Sequence, residues 1–562
     1  MNAFIVLLVI TSILFLLFFL GFLNYRKEQR LYKIQLKEEY GSYKPDSIPT
    51  EELSRIQYHF EKKTDRTNHI DAITCNDLNL NAVFERINYT KSLCGAERLY
   101  EILRSPLTSE EELEKREKTI LYFREHEKER IGYQEALHRL GKEQRFTLSS
   151  VLDDIANYVP PSLKKDCLML ILYVLSAGIT FVNTTFGIIL FILLFSINTS
   201  LYFKNKKTIS HFYIAFSYIY RVFKSYEMIR NLPRSDKDGR SEEIEDAYKK
   251  ALTLKKTIFF FSLGDNEKGS AGPFSFILDI FKMGFHFDFF ILHKAIRQCI
   301  LYRNQIEIIL CCLGEIDALI AIGEYRESLA HYCIPSFTQE KWLYILNGCH
   351  PLMTDPVKNT IDSDANILIT GSNASGKSTF LKMCALNVIL AQTIHTVLAD
   401  EYKSSFFVVL SSMSIKDDLM MGDSFYMAEI KSLKRILDQS RESSRFILCF
   451  VDEVLKGTNT VERIAASAEI LEGLCNQNTL AMVATHDMEL TELLKDKYEN
   501  YHFSETICND ELCFSYVIQE GASDTRNAIL LLQSMGYPKE VVNRAEKRAL
   551  MYLSTHTWSS EP

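Results

Sequence analysis

The chain has 562 residues, a formal net charge of −8 and 13 scattered cysteines without a C-x-x-C pair. Its length predicts about three or four domains, and the lack of a basic excess argues against a tight, indiscriminate nucleic-acid binder. No group of His or Cys residues has the spacing of a metal site. The cysteines are therefore predicted to be reduced core residues of a cytosolic protein.

The first 23 residues, Met1–Leu23, carry no charge and are mostly Leu, Ile, Phe and Val. Their length suits one membrane-spanning helix, which needs about 20 apolar residues. A cleaved signal peptide would have a basic start and a shorter apolar core. Arg26, Lys27 and Arg30 follow at once, so we expect the N-terminus outside and residues 24–68 to form a polar cytoplasmic linker.

A second uncharged stretch, residues 168–203, is too long for one ordinary membrane span. Asn183–Thr185 is typical of a turn, which predicts two short helices folded as a transmembrane hairpin. Lysines precede and follow the stretch, and this favours a hairpin with both ends in the cytoplasm. A re-entrant pair of helices is the alternative. With residues 1–23, this predicts three transmembrane helices and a multi-pass protein of the inner (cytoplasmic) membrane.

Amphipathic helical patterns flank the hairpin, in residues 69–165 and 204–345. In the first of these regions Leu78, Leu80 and Val83 begin a pattern of apolar positions, and Pro106 stops a later helix. From residue 346 to 548 strands alternate with helices, which predicts a domain with a parallel α/β sheet. Residues 549–562 are expected to be a short C-terminal tail.

The most informative motif lies between a strand and a helix. Asn366–Thr370 is apolar and β-branched, the next eight residues match G-x-x-x-x-G-K-[ST], and a helical pattern begins at Phe380. In this motif backbone N–H groups and the helix N-terminus surround phosphate oxygens. Lys377 would reach the β- and γ-phosphates, and the Ser378 hydroxyl would bind Mg²⁺. The predicted nucleotide-binding residues are Gly371, Ser372, Asn373, Ala374, Ser375, Gly376, Lys377, Ser378 and Thr379.

Two later strands end in residues suited to phosphate hydrolysis. Phe446–Val451 is a continuous apolar run, typical of a buried parallel strand, and it is followed by Asp452 and Glu453. Ligands bind at the carboxyl end of such strands, so Asp452 is predicted to hold Mg²⁺ and Glu453 to orient or deprotonate the attacking water. His486 follows the strand Leu480–Ala484, where it can reach a γ-phosphate, although histidines after strands are also common on surfaces.

Taken together, these motifs resemble those of the MutS family of ATPases, which act in DNA mismatch repair. The phosphate loop reads GSNASGKST, residues 417–430 read DDLMMGDSFYMAEI, residues 452–460 read DEVLKGTNT, and residues 484–486 read ATH. The similarity continues through residues 514–545 and covers about residues 69–545. It implies a multidomain fold, with an α-helical core and lever followed by an α/β P-loop ATPase domain of ABC/MutS type. The transmembrane helices expected from the apolar stretches are added to this helical part.

The resemblance also implies ligands, partners and roles. The ligands are ATP and Mg²⁺, Tyr516 stacks on adenine, and Lys377, Glu453 and His486 serve catalysis. In the family two such domains form a head-to-tail dimer, so this chain is expected to be a homodimer in which Ser424 touches the partner's γ-phosphate. Nucleotide state would then set the angle between helical arms.

The stretch before residue 69 is too short for the family's mismatch-recognition domain, and the hairpin stands where its DNA clamp is expected. We therefore expect weak, backbone-type DNA association without mismatch recognition. The alternative is an ATP-driven membrane switch that acts on a protein partner without DNA. A transporter ATPase fused to its membrane part is a third possibility, but three short spans make a poor transport pathway.

Overall fold

The computed structural model describes residues 2–42, 48–62, 68–142, 148–158, 164–233, 240–262, 287–372, 375–413, 425–455, 459–508, 511–522, 529, 532 and 536–555. The chain divides into two compact units. The first comprises Met1–Thr64, Asn88–Glu101 and Lys118–Ser328, and the second comprises Asp65–Ile87, Ile102–Glu117 and Leu329–Pro562. Contacts thus place residues 65–87 with the C-terminal half of the chain, whereas the sequence-based limits assigned 69–165 to one helical part.

Up to Ser328 the regular elements of the described residues are helices. They are α1 (Asn2–Glu38), α2 (Thr50–Glu61), α3 (Ala72–Asp77), α4 (Leu80–Ile87), α5 (Leu93–Arg104), α6 (Glu110–Glu125), α7 (Glu127–Leu140), α8 (Leu148–Asn157), α9 (Lys164–Val182), α10 (Thr184–Ile229), α11 (Arg240–Ser262), α12 (Phe287–Leu301) and α13 (Arg303–Ser328). The expected linker, residues 24–68, is therefore helical in much of its length.

An aromatic stripe along α10 supplies much of the core of the first unit. Phe212, Phe216, Ile219, Phe223 and Tyr226 recur every three or four residues, so they lie on one face of the helix, and all five are buried. Side chains of α7, α11, α12 and α13 belong to the same cluster. Apolar burial of this extent is the main contribution to the stability of a helical unit.

A close helix contact is formed in the first unit around Asp317 of α13. Its carboxylate accepts hydrogen bonds from the backbone N–H of Ser92 at 2.8 Å and of Lys91 at 3.1 Å, and from the Ser92 hydroxyl. A Cβ on Gly95 would lie 2.1 Å from Asp317 Oδ2. The absence of a side chain at Gly95 therefore allows the carboxylate to reach the N-terminus of α5 and to satisfy its free N–H groups.

The predicted hairpin turn is confirmed. Helix α9 ends at Val182 and α10 begins at Thr184, and the Asn183 side chain caps α10 by accepting a hydrogen bond from Phe186 N at 3.1 Å. The prediction that the second hairpin helix is short is wrong, because α10 continues without a break to Ile229. The lysines after Phe203 end the apolar run but not the helix.

Among the residues that the structure describes, one helical segment, Thr184–Lys204, is long and apolar enough to cross a membrane. Cys167–Val182 is apolar but shorter. A core helix of a soluble protein can meet the same criteria, so a single such segment does not support the arrangement of three membrane helices. That arrangement stays a prediction.

The second unit contains the strands. In chain order its elements from residue 336 are β1 (Ser336–Phe337), β2 (Leu343–Gly348), β3 (Asn359–Ser363), β4 (Asn366–Thr370), α14 (Lys377–Ile394), β5 (Glu401–Ser404), β6 (Phe407–Ser412), α15 (Phe425–Glu442), β7 (Phe446–Asp452), α16 (Thr460–Gly473), β8 (Thr479–Ala484), α17 (Glu489–Leu493), β9 (Tyr498–Cys508), β10 (Glu511–Glu520) and α18 (Lys539–Thr555). The first strands thus begin before residue 346, the limit expected from the sequence.

A six-stranded sheet with the order β10-β9-β4-β8-β7-β6 forms the centre of this unit. Its strands pair in parallel, except for the antiparallel pair of β9 and β10. Every residue of β4 and β8 is buried, as expected for parallel strands covered on both faces. This confirms the predicted parallel sheet. A second sheet has the order β1-β5-β2-β3.

Candidate nucleotide site

The loop between β4 and α14 depends on two glycines with left-handed backbone. Gly371 has φ 144° and Gly376 has φ 107°, values that residues with a side chain rarely adopt. A Cβ would also lack space, because it would lie 2.9 Å from Ser375 Oγ at Gly371 and 3.2 Å from Tyr516 Cδ1 at Gly376. The loop can therefore turn this tightly only with glycine at both positions.

Polar groups of this loop converge at the N-terminus of α14. Lys377 is buried, and its Nζ donates hydrogen bonds of 2.7 Å to the carbonyl oxygens of Gly371 and Ser372. The buried Ser375 hydroxyl has no hydrogen-bond partner among the described residues, whereas Ser378 and Thr379 are exposed. A cation, an unpaired hydroxyl and the positive end of a helix suit a phosphate group. Asn373 and Ala374 lie outside the described residues.

Strand register brings the phosphate loop, the Asp452–Glu453 pair and His486 to one edge of the sheet. Asp452 of β7 is aligned with Ala484 of β8, and Ala484 is aligned with Ile369 of β4. Because the three strands are parallel neighbours, their carboxyl ends lie side by side. The acidic pair after β7, the histidine after β8 and the loop after β4 therefore share the edge where such sheets bind ligands.

A cavity of about 440 Å³ opens at this edge, within the size range of small-molecule sites. Predicted residues that line it are Ser372, Ser375, Gly376, Lys377, Ser378, Thr379, Glu453 and Tyr516. Asp452 and His486 lie at the same edge but are not among the lining residues. Ser424, predicted to act across a dimer interface, lies outside the described residues.

Half of the lining comes from residues that the sequence analysis did not single out as ligand contacts. They are His350, Met353, Asp355, Pro356, Val357, Asn359, Phe380 and Met383. Most of them precede or begin β3, and no sequence motif marks them. The one available signal was that several are apolar, as suits contact with a flat base. Burial, together with Lys382 and Arg86, lowers the pKa of His350 to about 4, so this histidine is neutral at physiological pH.

Glu453 stands in an unusual backbone conformation beside His486. Its φ is 59°, in the left-handed region that is uncommon for residues with side chains, and its N–H donates to Ala484 O at 2.9 Å. His486 Nδ1 lies 3.5 Å from Glu453 Oε1. The hydrogen bond with Glu453 raises the pKa of His486 above its ordinary value.

An ion pair that the sequence analysis missed supports the loop after β8. Arg463 of α16 donates two hydrogen bonds to the buried Asp487 carboxylate, from Nε at 3.0 Å and from Nη2 at 2.6 Å. Such two-point contacts are directional as well as strong. Because Asp487 directly follows His486, the pair restrains the histidine's position relative to Glu453.

The donor set at this edge suits Mg²⁺. The Ser378 hydroxyl and the Asp452 carboxylate are hard oxygen ligands, and Mg²⁺ is usually held by one or two protein groups together with phosphate oxygens and water. In the described part of the chain no cluster of three or more His, Cys, Asp or Glu residues could hold a metal. Ser378 and Asp452 therefore fit an ion that is held partly by the phosphates of a nucleotide.

A glycine loop that joins a buried parallel strand to a helix is the P-loop arrangement, and it places the second unit in the P-loop class of nucleotide-binding domains. Residues 367–552 match the family model for MutS domain V. The chain is also similar to DNA mismatch repair protein MutS of Streptococcus uberis (strain ATCC BAA-854 / 0140J), with 29% identity over 269 residues.

Residues 367–552 thus form a MutS domain V, and the resemblance to the MutS family noted in the sequence is confirmed. The aligned region covers 46% of this chain and 31% of the Streptococcus protein. The chain thus spans about a third of the length of that relative.

The contact between His486 and Glu453 makes a pH-dependent prediction. Because the pKa of His486 is raised in the folded protein, the pairing with Glu453 is complete below the ordinary histidine value of about 6.5 and is lost as pH rises through the raised pKa. We expect an NMR titration of the His486 ring to have its midpoint above 6.5, and we expect Glu453→Gln to lower that midpoint.

The matched control is Glu492→Gln, which removes an exposed glutamate paired with Lys495 and should leave the His486 midpoint unchanged. An unshifted midpoint in the wild-type chain would contradict the pairing.

Proposed function

We propose that this chain is an ATP hydrolase of the MutS type. The observation that carries the proposal is the cavity that joins the phosphate loop, with its buried Lys377, to Glu453. The match to MutS domain V and the similarity to a MutS protein support ATP as the nucleotide. A cavity of about 440 Å³ lined by both polar and apolar residues can hold a triphosphate and a base.

The polar residues that line the cavity suggest how phosphate binds. The Lys377 amine, which is bonded to two loop carbonyls, can exchange them for β- and γ-phosphate oxygens without leaving its buried position. The Ser375 hydroxyl, without a partner among the described residues, can donate to the same group. When bound, Mg²⁺ would be held by Ser378 and Asp452 and would neutralise part of the phosphate charge.

Glu453 is the proposed base, because it is the carboxylate that follows β7 and lines the cavity beside the loop. It would orient or deprotonate the attacking water while Lys377 neutralises charge that develops on the γ-phosphate. His486 lies 3.5 Å from the Glu453 carboxylate, whose own N–H bonds to Ala484 O, and it would approach the γ-phosphate from β8.

Two substitutions should separate binding from hydrolysis. Lys377→Ala should abolish tight ATP binding, because it removes the buried cation of the loop. Glu453→Gln should bind ATP normally but hydrolyse it about 10²-fold more slowly or worse, since only the group that activates water is lost. Calorimetric binding and steady-state turnover measure the two effects.

Lys434→Ala, at an exposed lysine of α15, is the control for loss of a positive charge from the same unit and should change neither quantity. Near-normal turnover by Glu453→Gln would remove Glu453 as the base. Normal ATP binding by Lys377→Ala would reject the nucleotide site itself.

Membrane attachment through the hairpin is the second part of the proposal. Phe181 and Val182 at the turn are 93% and 90% exposed, and Ile189, Ile192 and Leu193 on α10 are more than half exposed. Exposed apolar patches of this kind mark contact with lipid or protein. Exposed lysines, Lys164 and Lys204, stand at the far ends of both apolar segments, where anionic headgroups and water meet.

A photoactivatable group carried on phospholipid tails tests this attachment in native membrane vesicles. We expect peptide mapping to find the label on residues 181–193, because lipid tails would surround them. Leu550 on α18 is 60% exposed and apolar but belongs to the nucleotide-binding unit, so it is the control and should stay unlabelled. Label on Leu550 with none on the hairpin would contradict hairpin attachment.

The third part of the proposal is that ATP hydrolysis occurs in a homodimer and is coupled to DNA association. Its support is the similarity to a DNA mismatch repair protein, and Ser424 is the residue proposed to act across the dimer interface. The alternative is a membrane switch that acts on a protein partner, for which the exposed hairpin is the favouring observation.

Duplex DNA distinguishes the two functions. If the chain acts on DNA, a duplex should bind at moderate salt, lose affinity steeply as salt increases because phosphate contacts dominate, and change the ATPase rate. The full-length protein in detergent is the sample, and Lys377→Ala gives the background rate. An ATPase rate that is insensitive to saturating duplex would favour the protein-partner alternative.

A further inference from the structure

Tyr516 closes one side of the nucleotide cavity from an uncommon backbone conformation. Its φ is 53°, in the left-handed region, which is rare for bulky residues. The pairing of β9 with β10 runs through Phe514 opposite Glu505 and resumes only at Ile518 opposite Phe503. Residues 515–517 therefore form a bulge with a local change in strand direction, and bulges of this kind re-aim side chains next to functional sites.

The ring of Tyr516 lies directly over the phosphate loop. A Cβ on Gly376 would be 3.2 Å from Tyr516 Cδ1, and the ring also stacks with Phe514 at a centroid distance of 5.8 Å. It is 43% exposed and lines the cavity. The backbone of the bulge sets where the Tyr516 side chain starts and in which direction it leaves the strand, and this places the ring within reach of the loop.

One side chain links the middle of the bulge to the strand residue that follows it. Asn359 Nδ2 donates to Tyr516 O at 3.0 Å, and Asn359 Oδ1 accepts from Ile518 N at 2.8 Å. Asn359 Nδ2 also lies 3.4 Å from Val357 O. Asn359 is 8% exposed and begins β3, where its backbone is held opposite Gly348 of β2. The buried Asn359 side chain thus supplies a hydrogen-bond donor and an acceptor where the pairing of β9 with β10 is interrupted.

We infer that Asn359 is a positioning residue that fixes the Tyr516 ring above the phosphate loop and thereby sets the affinity for the base of the nucleotide. Its amide is suited to this because it presents a donor and an acceptor in one plane. A carboxylate in its place keeps only the acceptor, and an aliphatic side chain keeps neither. The inference rests on the proposed nucleotide-binding function and assigns a residue that acts through Tyr516, without contact to phosphate.

The test compares a ligand with a base and a ligand without one. Asn359→Leu keeps a similar volume and removes both hydrogen bonds. By calorimetry we expect it to weaken ATP binding about tenfold, equivalent to ~1.4 kcal/mol, while binding of inorganic tripolyphosphate changes less than about twofold. In turnover, KM for ATP should rise while kcat changes little, because the groups at the γ-phosphate are untouched.

Three further variants make the result specific. In a Tyr516→Ala background, Asn359→Leu should have no additional effect on ATP affinity, because the ring that it positions is gone. Thr360→Val alters the neighbouring, exposed position of β3 and should leave ATP affinity unchanged. Asn359→Asp, which retains the acceptor for Ile518 N, should give a smaller loss than Asn359→Leu, and it serves in its place if the leucine variant does not fold.

Several results would overturn the inference. They are unchanged ATP affinity in Asn359→Leu, equal losses for ATP and tripolyphosphate, or a full additional loss in the Tyr516→Ala background. Failure of the proposed function is distinguishable, because it would appear as normal ATP binding by Lys377→Ala. If Lys377→Ala loses ATP and Asn359→Leu does not, the site stands and only the role of Asn359 is wrong.

Discussion

The site depends on the parallel pairing of three buried strands. Hydrogen bonds between β4, β8 and β7 hold Ile369, Ala484 and Asp452 in one row across the sheet, so whatever follows each strand must emerge at the same edge. A shift by one residue would reverse the direction of every side chain and disrupt the packing on both faces of these buried strands. The positions of the phosphate loop, His486 and Glu453 are consequences of this row.

A second constraint acts on the backbone at the end of those strands. Gly371 and Gly376 adopt left-handed conformations without steric cost, but Glu453, Leu455 and Tyr516 adopt them with side chains. Residues in such conformations persist only where surrounding contacts hold them, and they concentrate at functional sites. Here Ala484 O accepts a hydrogen bond from the N–H of Glu453, and Asn359 bonds to Tyr516 in the bulge and to Ile518 directly after it.

The sequence predicted those parts of the site that depend on local patterns. Apolar runs such as residues 446–451 indicate buried parallel strands because both faces are covered. The spacing of glycine and lysine in residues 371–378 predicts a phosphate-binding loop without knowledge of the rest of the fold. The Asn183 turn was likewise predictable, since an asparagine flanked by long apolar helices is a good N-cap.

Other features could not be predicted locally. The helix α10 continues past Lys204 because its apolar stripe resumes at Phe212, whereas a rule based on charge places a boundary there. The cavity wall before β3 and the ion pair of Arg463 with Asp487 join segments that are distant in sequence, and no residue type marks them. Asn359 is the clearest case, because a single polar residue at a strand start carries no signal until β10 lies beside it.

The charged groups near the site restrain one another in a series that runs from Arg463 through Asp487 and His486 to Glu453. Arg463 neutralises the buried Asp487 and fixes the turn after β8. Fixing that turn places His486 within 3.5 Å of Glu453, and the carboxylate in turn favours the protonated histidine. A carboxylate so restrained has little freedom to reorganise, and low reorganisation is the condition under which charged groups stabilise a transition state most effectively. The Arg463–Asp487 pair therefore contributes to the site through geometry, since neither residue lines the cavity.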